Sequence, residues 1–183
     1  MKQILIATIT ILFSLSGFAQ LSEIPEQEIP EDYGYKVKIG DPMPNVDFVL
    51  IDGKTISAEE LKGKVTMLQL TASWCGVCRK EMPHIEKEIW QKHKNNPNFV
   101  LIGVDMDEPL EKVKKFGKDV GITYPLALDP GAEIFYTFAE EGAGVTRNVI
   151  IDKNGKIVYM TRLFKEKEFN EMVAVIELLL ANS

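Results

Sequence analysis

The chain has 183 residues, of which 45% are apolar and 26% charged, enough for one domain with a sizeable core. Its formal charge of −6 argues against nucleic acid or an anionic membrane surface as a partner, because each needs a basic face. No internal repeat or low-complexity block divides it.

Residues 1–19 carry Lys2, an apolar stretch from Ile4 to Phe13 and a small-residue end, Gly17-Phe18-Ala19. That layout predicts a secretory signal peptide cut before Gln20. The stretch includes Thr8 and Thr10 and falls short of the roughly 20 apolar residues that a spanning helix needs. No cysteine stands near the cut to take a lipid. Residues 20–39 hold Pro25, Pro30, Glu23, Glu26, Glu28, Glu31 and Asp32, and are expected to form a flexible acidic spacer. One domain is expected over 40–183.

Within it, Asp52-Gly53 between apolar runs reads as a hairpin turn, and Ser57 with Glu60 reads as the capped start of a short helix. Val65 to Leu70 is a buried strand that runs into Trp74-Cys75-Gly76-Val77-Cys78 and then a charged, helix-forming segment. Asn98–Asp105 is a second continuous apolar strand, expected to be parallel. Leu110, Val113 and Phe116 mark a helix over Pro109–Val120. A short strand over Thr123–Leu128 and a helix over Ala132–Ala139 follow. Thr146–Ile151 and Lys156–Thr161 flank Asn154-Gly155 as a second hairpin, and Glu166–Leu180 is a closing helix with a broad apolar face.

Two cysteines spaced C-x-x-C at the first turn of a helix face unpaired N–H groups and the positive end of the helix dipole, which favours a thiolate at Cys75. A structural staple is a poor reading, since closing so short a loop removes little chain entropy. Zinc is a poor one too, because His84 and His93, the only histidines, lack the spacing of a four-ligand site. Thiol-disulfide exchange remains. No Gly-rich dinucleotide fingerprint or flavin site is present, so no cofactor is expected and electrons must pass through another thiol protein.

Trp74 to Cys78 followed by Arg79-Lys80-Glu81-Met82-Pro83 resembles the active-site segment of thioredoxin-fold proteins, and among them the TlpA/ResA-like thiol-disulfide oxidoreductases. The likeness runs from Gly40 to the C-terminus through Gly40-Asp41-Pro42-Met43-Pro44, Leu61-Lys62-Gly63-Lys64 and Ile151-Asp152-Lys153-Asn154-Gly155-Lys156. It implies an α/β thioredoxin-like sandwich: a central mixed β-sheet, helices on both faces and an N-terminal hairpin extension. It also implies an exported, periplasmic enzyme that reduces protein disulfides, with client proteins and a membrane thiol electron donor as partners.

Cys75, first of the pair, is the expected nucleophile and Cys78 the resolver. Glu81 lies three residues beyond Cys78 on the same helical face; the family ties a Glu there to cysteine reactivity, while a solvated surface acid is the alternative reading. Thioredoxin's buried Asp falls at Gln69, which cannot titrate. Trp74, Gly76, Val77, Val145 and Thr146 are the expected substrate groove, with Trp74 packed beside the sulfurs and Thr146 offering its backbone to a peptide. Where the family has a cis-proline, Val145-Thr146-Arg147 has none, and a trans bond is expected because a non-proline cis bond costs about 2.5 to 4 kcal/mol. Pro83 should kink its helix. Two other readings stand beside the leading one. A peroxiredoxin-like peroxidase is disfavoured by Leu68 and Ala72, which stand where that family wants Pro and Thr or Ser. A passive binding module is favoured by the missing proline.

Overall fold

The computed structural model describes residues 23–182; the signal peptide expected over 1–19 lies outside them. Seven strands form one sheet in the order β2-β1-β5-β4-β3-β6-β7. The N-terminal hairpin is β1 (Phe48–Leu50) with β2 (Thr55–Ile56), and it pairs antiparallel with β5 (Leu126–Asp129). β3 (Val65–Thr71), buried along its whole length, is the centre: it runs parallel to β4 (Phe99–Met106) and antiparallel to β6 (Arg147–Ile151). β7 (Ile157–Arg162) closes the far edge.

Turn chemistry fixes the hairpins as the sequence predicts. Asp52 accepts the Lys54 N–H across the first turn, and Asp152 accepts both the Asn154 and Lys156 N–H groups across the second. Ser57 and Glu60 exchange the reciprocal bonds of a capping box over a single 3-10 turn, Glu59–Leu61.

α1 (Gly76–Ile85), α3 (Leu110–Val120) and α5 (Glu166–Ala181) share one face of the sheet. Side chains at odd positions of β3 point to them: Thr71 reaches Met82 of α1. Beside Gln69, a Cβ on Gly103 would stand 2.6 Å from the Leu126 side chain, and one on Gly117 of α3 would stand 3.0 Å from it, while Tyr159 of β7 reaches Glu171 of α5. α1 carries Pro83 inside it and passes through a wide π-turn, Glu86–Trp90, into the short α2 (Gln91–His93). Pro83 has no N–H to donate to Arg79, and three residues later the ladder changes register. The helix expected over 132–139 is shorter: Gly131 and Ala132 have positive φ, and α4 (Phe135–Phe138) starts only where Asp129 accepts the Ile134 and Phe135 N–H groups.

The expectation of a flexible spacer over 20–39 does not hold for its described part. The side-chain amide of Gln27 bonds both the N–H and the C=O of Met160, supplying the partner that edge strand β7 lacks. Tyr35 bridges to Ala139 and its hydroxyl donates to Thr161 O at 2.6 Å. The acids face solvent, while Gln27 pins the strap to the β7 edge, the Tyr33 hydroxyl reaches Glu168 of α5, and Tyr35 lies under Arg147 on the face of the sheet opposite α1. Composition reports the acids and misses the anchors.

Candidate active site

β3 ends at Thr71, and the chain turns through Ala72-Ser73-Trp74 to bring Cys75 to the N-cap of α1 with φ −81° and ψ 107°. Three bonds that involve side chains hold that turn, beside the Cys75 N–H to Ala72 O bond within it. Ser73 donates its N–H to Glu108 at 2.5 Å and its hydroxyl to the same carboxylate at 2.7 Å, and the Arg79 guanidinium donates to Ser73 O at 2.7 Å. Cys75 and Cys78 are joined as a disulfide. Cys75 Sγ also accepts the Cys78 N–H at 3.1 Å, so it already occupies the place of a capping oxygen. It is 7% exposed and Cys78 is fully buried, which makes Cys75 the sulfur that a client can reach.

Thr146, at the mouth of β6, puts its hydroxyl 3.1 Å from the Cys75 sulfur and 3.3 Å from that of Cys78. No peptide bond among the described residues is cis, so this loop is trans, as expected without a proline. Its carbonyl accepts the Leu163 N–H at 3.2 Å, extending the β6–β7 pairing by one residue, so of the backbone expected to face a peptide the C=O is engaged within the chain. Val145 and Thr146 are both buried. Trp74 is 64% exposed rather than packed beside the sulfurs, an apolar surface standing free next to the reactive edge. Gly76 is exposed and Val77 half-buried.

Glu81 is not the solvated acid of the alternative reading. It is 1% exposed; Asn148 donates to Oε1 at 2.7 Å and Gln69 to Oε2 at 3.5 Å. Burial pushes its carboxyl up to about 7, against those two bonds, which lower it. Asn148 is two residues beyond Thr146 and Glu81 three beyond Cys78, so the strand period of two and the helical turn line up two pairs: hydroxyl with sulfurs, amide with carboxylate. Gln69, standing where thioredoxin has its acid, serves here as a donor to Glu81, itself held by the Tyr124 hydroxyl at 2.6 Å.

Sequence reasoning missed Asn148, Tyr124, and the pair Asp105 and Glu108 behind the Ser73 turn. Asp105 is fully buried, and neither of its oxygens has a hydrogen-bond donor. Burial and the charge of Glu108 push its carboxyl up to about 8. Burial raises Glu108 as well, but bonds from Lys112 and Ser73 outweigh it and leave that carboxyl lowered. Asp105 therefore holds a proton and Glu108 the charge. The available signal was polar residues, Asn148 and Asp105, inside otherwise apolar strands.

The redoxin family model matches residues 38–176. The chain belongs to the redoxin family. This redoxin is 36% identical over 124 residues to the thiol-disulfide oxidoreductase ResA of Bacillus thuringiensis, covering 67% of this chain and 69% of the relative. A solution structure from Bacteroides thetaiotaomicron, described as a candidate protein disulfide isomerase, shares 59% identity and superposes with a TM-score of 0.79 over 81% of this chain and 93% of that one. A thioredoxin candidate from Neisseria meningitidis is 27% identical, with a TM-score of 0.66 over 77% and 91%. Membership, these relatives and the Cys75–Cys78 pair make this redoxin a thiol-disulfide oxidoreductase of thioredoxin-like fold. Among its described residues no helix is long and apolar enough to cross a membrane, and no cluster of His, Cys, Asp and Glu could hold a metal.

Proposed function

We propose that the chain is exported and reduces disulfides in client proteins, and is itself re-reduced by a membrane thiol protein. The Cys75 thiolate attacks one sulfur of a client disulfide; a Cys75–client mixed disulfide forms and the other client sulfur leaves as a thiolate. Cys78 loses its proton to Glu81, attacks Cys75 Sγ and releases the second client thiolate, leaving the Cys75–Cys78 disulfide. Two electrons pass to the client, and the donor's dithiol returns them. Trp74, Gly76 and Val77 line the approach, with Val145 and Thr146 behind the sulfurs.

The observation that carries this reading is the buried Glu81, titrating near neutrality one helical turn from Cys78. A group that can take up a proton beside the resolving cysteine serves the reducing direction, in which Cys78 must become a nucleophile. Export rests on the leader-like residues 1–19. Trapping tests the reading: Cys78→Ser should accumulate mixed disulfides with clients, released by reductant, and Cys75→Ser should accumulate none. Trapping by Cys75→Ser alone would reverse the two roles, and trapping by neither would exclude protein disulfides as substrate.

A further inference from the structure

We propose that Arg147 is a positioning residue for the reactive sulfurs, acting through Thr146 and clamped in turn by the N-terminal strap. The loop over the sulfurs has no proline to stiffen it, yet its Thr146 hydroxyl must keep its place within hydrogen-bond reach of both. Arg147 follows Thr146 directly, is fully buried, and by strand alternation projects to the opposite face of the sheet. There its guanidinium lies over the Tyr35 ring, 4.4 Å from the centroid. Its Nε donates to Gly144 O at 3.0 Å and its Nη2 to Tyr33 O. One planar fork thus ties the loop before Thr146 to the strap, which a lysine's point charge cannot do.

The strap grips the same loop through its backbone. Glu140 N–H donates to Gly34 O, Lys36 N–H to Phe138 O, and Tyr35 pairs with Ala139. Gly34 sits so close that a Cβ there would stand 3.2 Å from that of Ala143, at a φ of +61°. Arg162, opposite Arg147 in the β6–β7 register, places its guanidinium where a Cβ on Gly144 would stand. Gly144 and Arg147 are thus tied together by the guanidinium, and Thr146 between them accepts the Leu163 N–H. A buried guanidinium bonded to main-chain carbonyls is costly to desolvate, and fixing this loop is the return.

The inference rests on Cys75 being the attacking thiolate. In the reduced protein the Thr146 hydroxyl donates to that thiolate and lowers its pKa. The test is a cycle in a Cys78→Ala background, where Cys75 is the single thiol and its titration is read from the pH dependence of iodoacetamide alkylation. Thr146→Val and Arg147→Lys should each raise the Cys75 pKa, by about one unit for a lost bond to a charged group. The double variant should be no higher than Thr146→Val alone. No shift in Arg147→Lys, or a shift that adds in full to that of Thr146→Val, would overturn the clamp. If Arg147→Lys does not fold, Tyr35→Leu, which removes the ring beneath the guanidinium, takes its place with the same expectations. A parent Cys75 that titrates near the ordinary cysteine value sinks the nucleophile assignment and the clamp with it; a lowered Cys75 indifferent to Arg147 sinks the clamp alone.

Discussion

Glu81→Gln should make the protein slower and more stable at once, and the two effects have different pH signatures. The carboxyl is buried and its folded-state value is about 7, against 4.5 for a free glutamate. Between those pH values the unfolded chain has released the proton and the native state still holds it, so stability falls as pH rises from 4.5 through 7 and the loss is complete above that. At 1.36 kcal/mol per unit the full loss is about 3 kcal/mol. The substituted amide would avoid that loss, but it would face Gln69, a donor whose own oxygen is already bonded to Tyr124. Setting about 1 kcal/mol against that mismatch leaves a net gain of roughly 2 kcal/mol at pH 8. At pH 4, where both states of the parent are protonated, the gain vanishes and the mismatch leaves the variant slightly less stable. Urea titrations of parent and variant at both pH values measure this. Turnover at pH 7 should meanwhile drop between a hundredfold and ten-thousandfold, the usual range for a lost general base. Equal stability differences at pH 4 and pH 8 would refute the buried, near-neutral acid, and unchanged turnover would refute its role as the base for Cys78.

Asp105→Asn should follow the same sign, since a carboxyl raised to about 8 destabilises the folded state increasingly from pH 4 to pH 8. Thermal unfolding at pH 9 should show the variant more stable by on the order of a few kcal/mol, with no such gain at pH 4; a gain of equal size at both would mean that Asp105 is ionised throughout. Expressed in a secreting host, the mature protein should begin near Gln20. Intact-mass measurement reads the cut, and a mass that retains Met1 to Ala19 would contradict export by a cleaved signal.

Local pattern made most of the sheet legible. The order of strand, C-x-x-C and helix, both hairpin turns and the apolar face of α3 are set by residues within a few positions of one another, and the structure has them where the sequence puts them. The placement of Glu81 near Cys78 was legible for the same reason, since a helical turn fixes it. Its burial was not: the two donors that receive it come from β3 and β6, 12 and 67 residues away. The strap was misread for a similar reason. Its acids dominate the composition, and its anchors find partners more than a hundred residues on. The short α4 reflects a conflict between apolar spacing, which favours a longer helix, and positive φ at Gly131 and Ala132, which ends the first turn. The Asp105–Glu108 pair could be placed only once β4 was set beside the Ser73 turn.

Dithiothreitol-driven reduction of insulin, followed as turbidity, addresses the central claim directly. The parent should accelerate precipitation of the insulin B chain, Cys75→Ser should not, and Glu81→Gln should lie between them. A parent no faster than dithiothreitol alone, or a Cys75→Ser protein as fast as the parent, would contradict it.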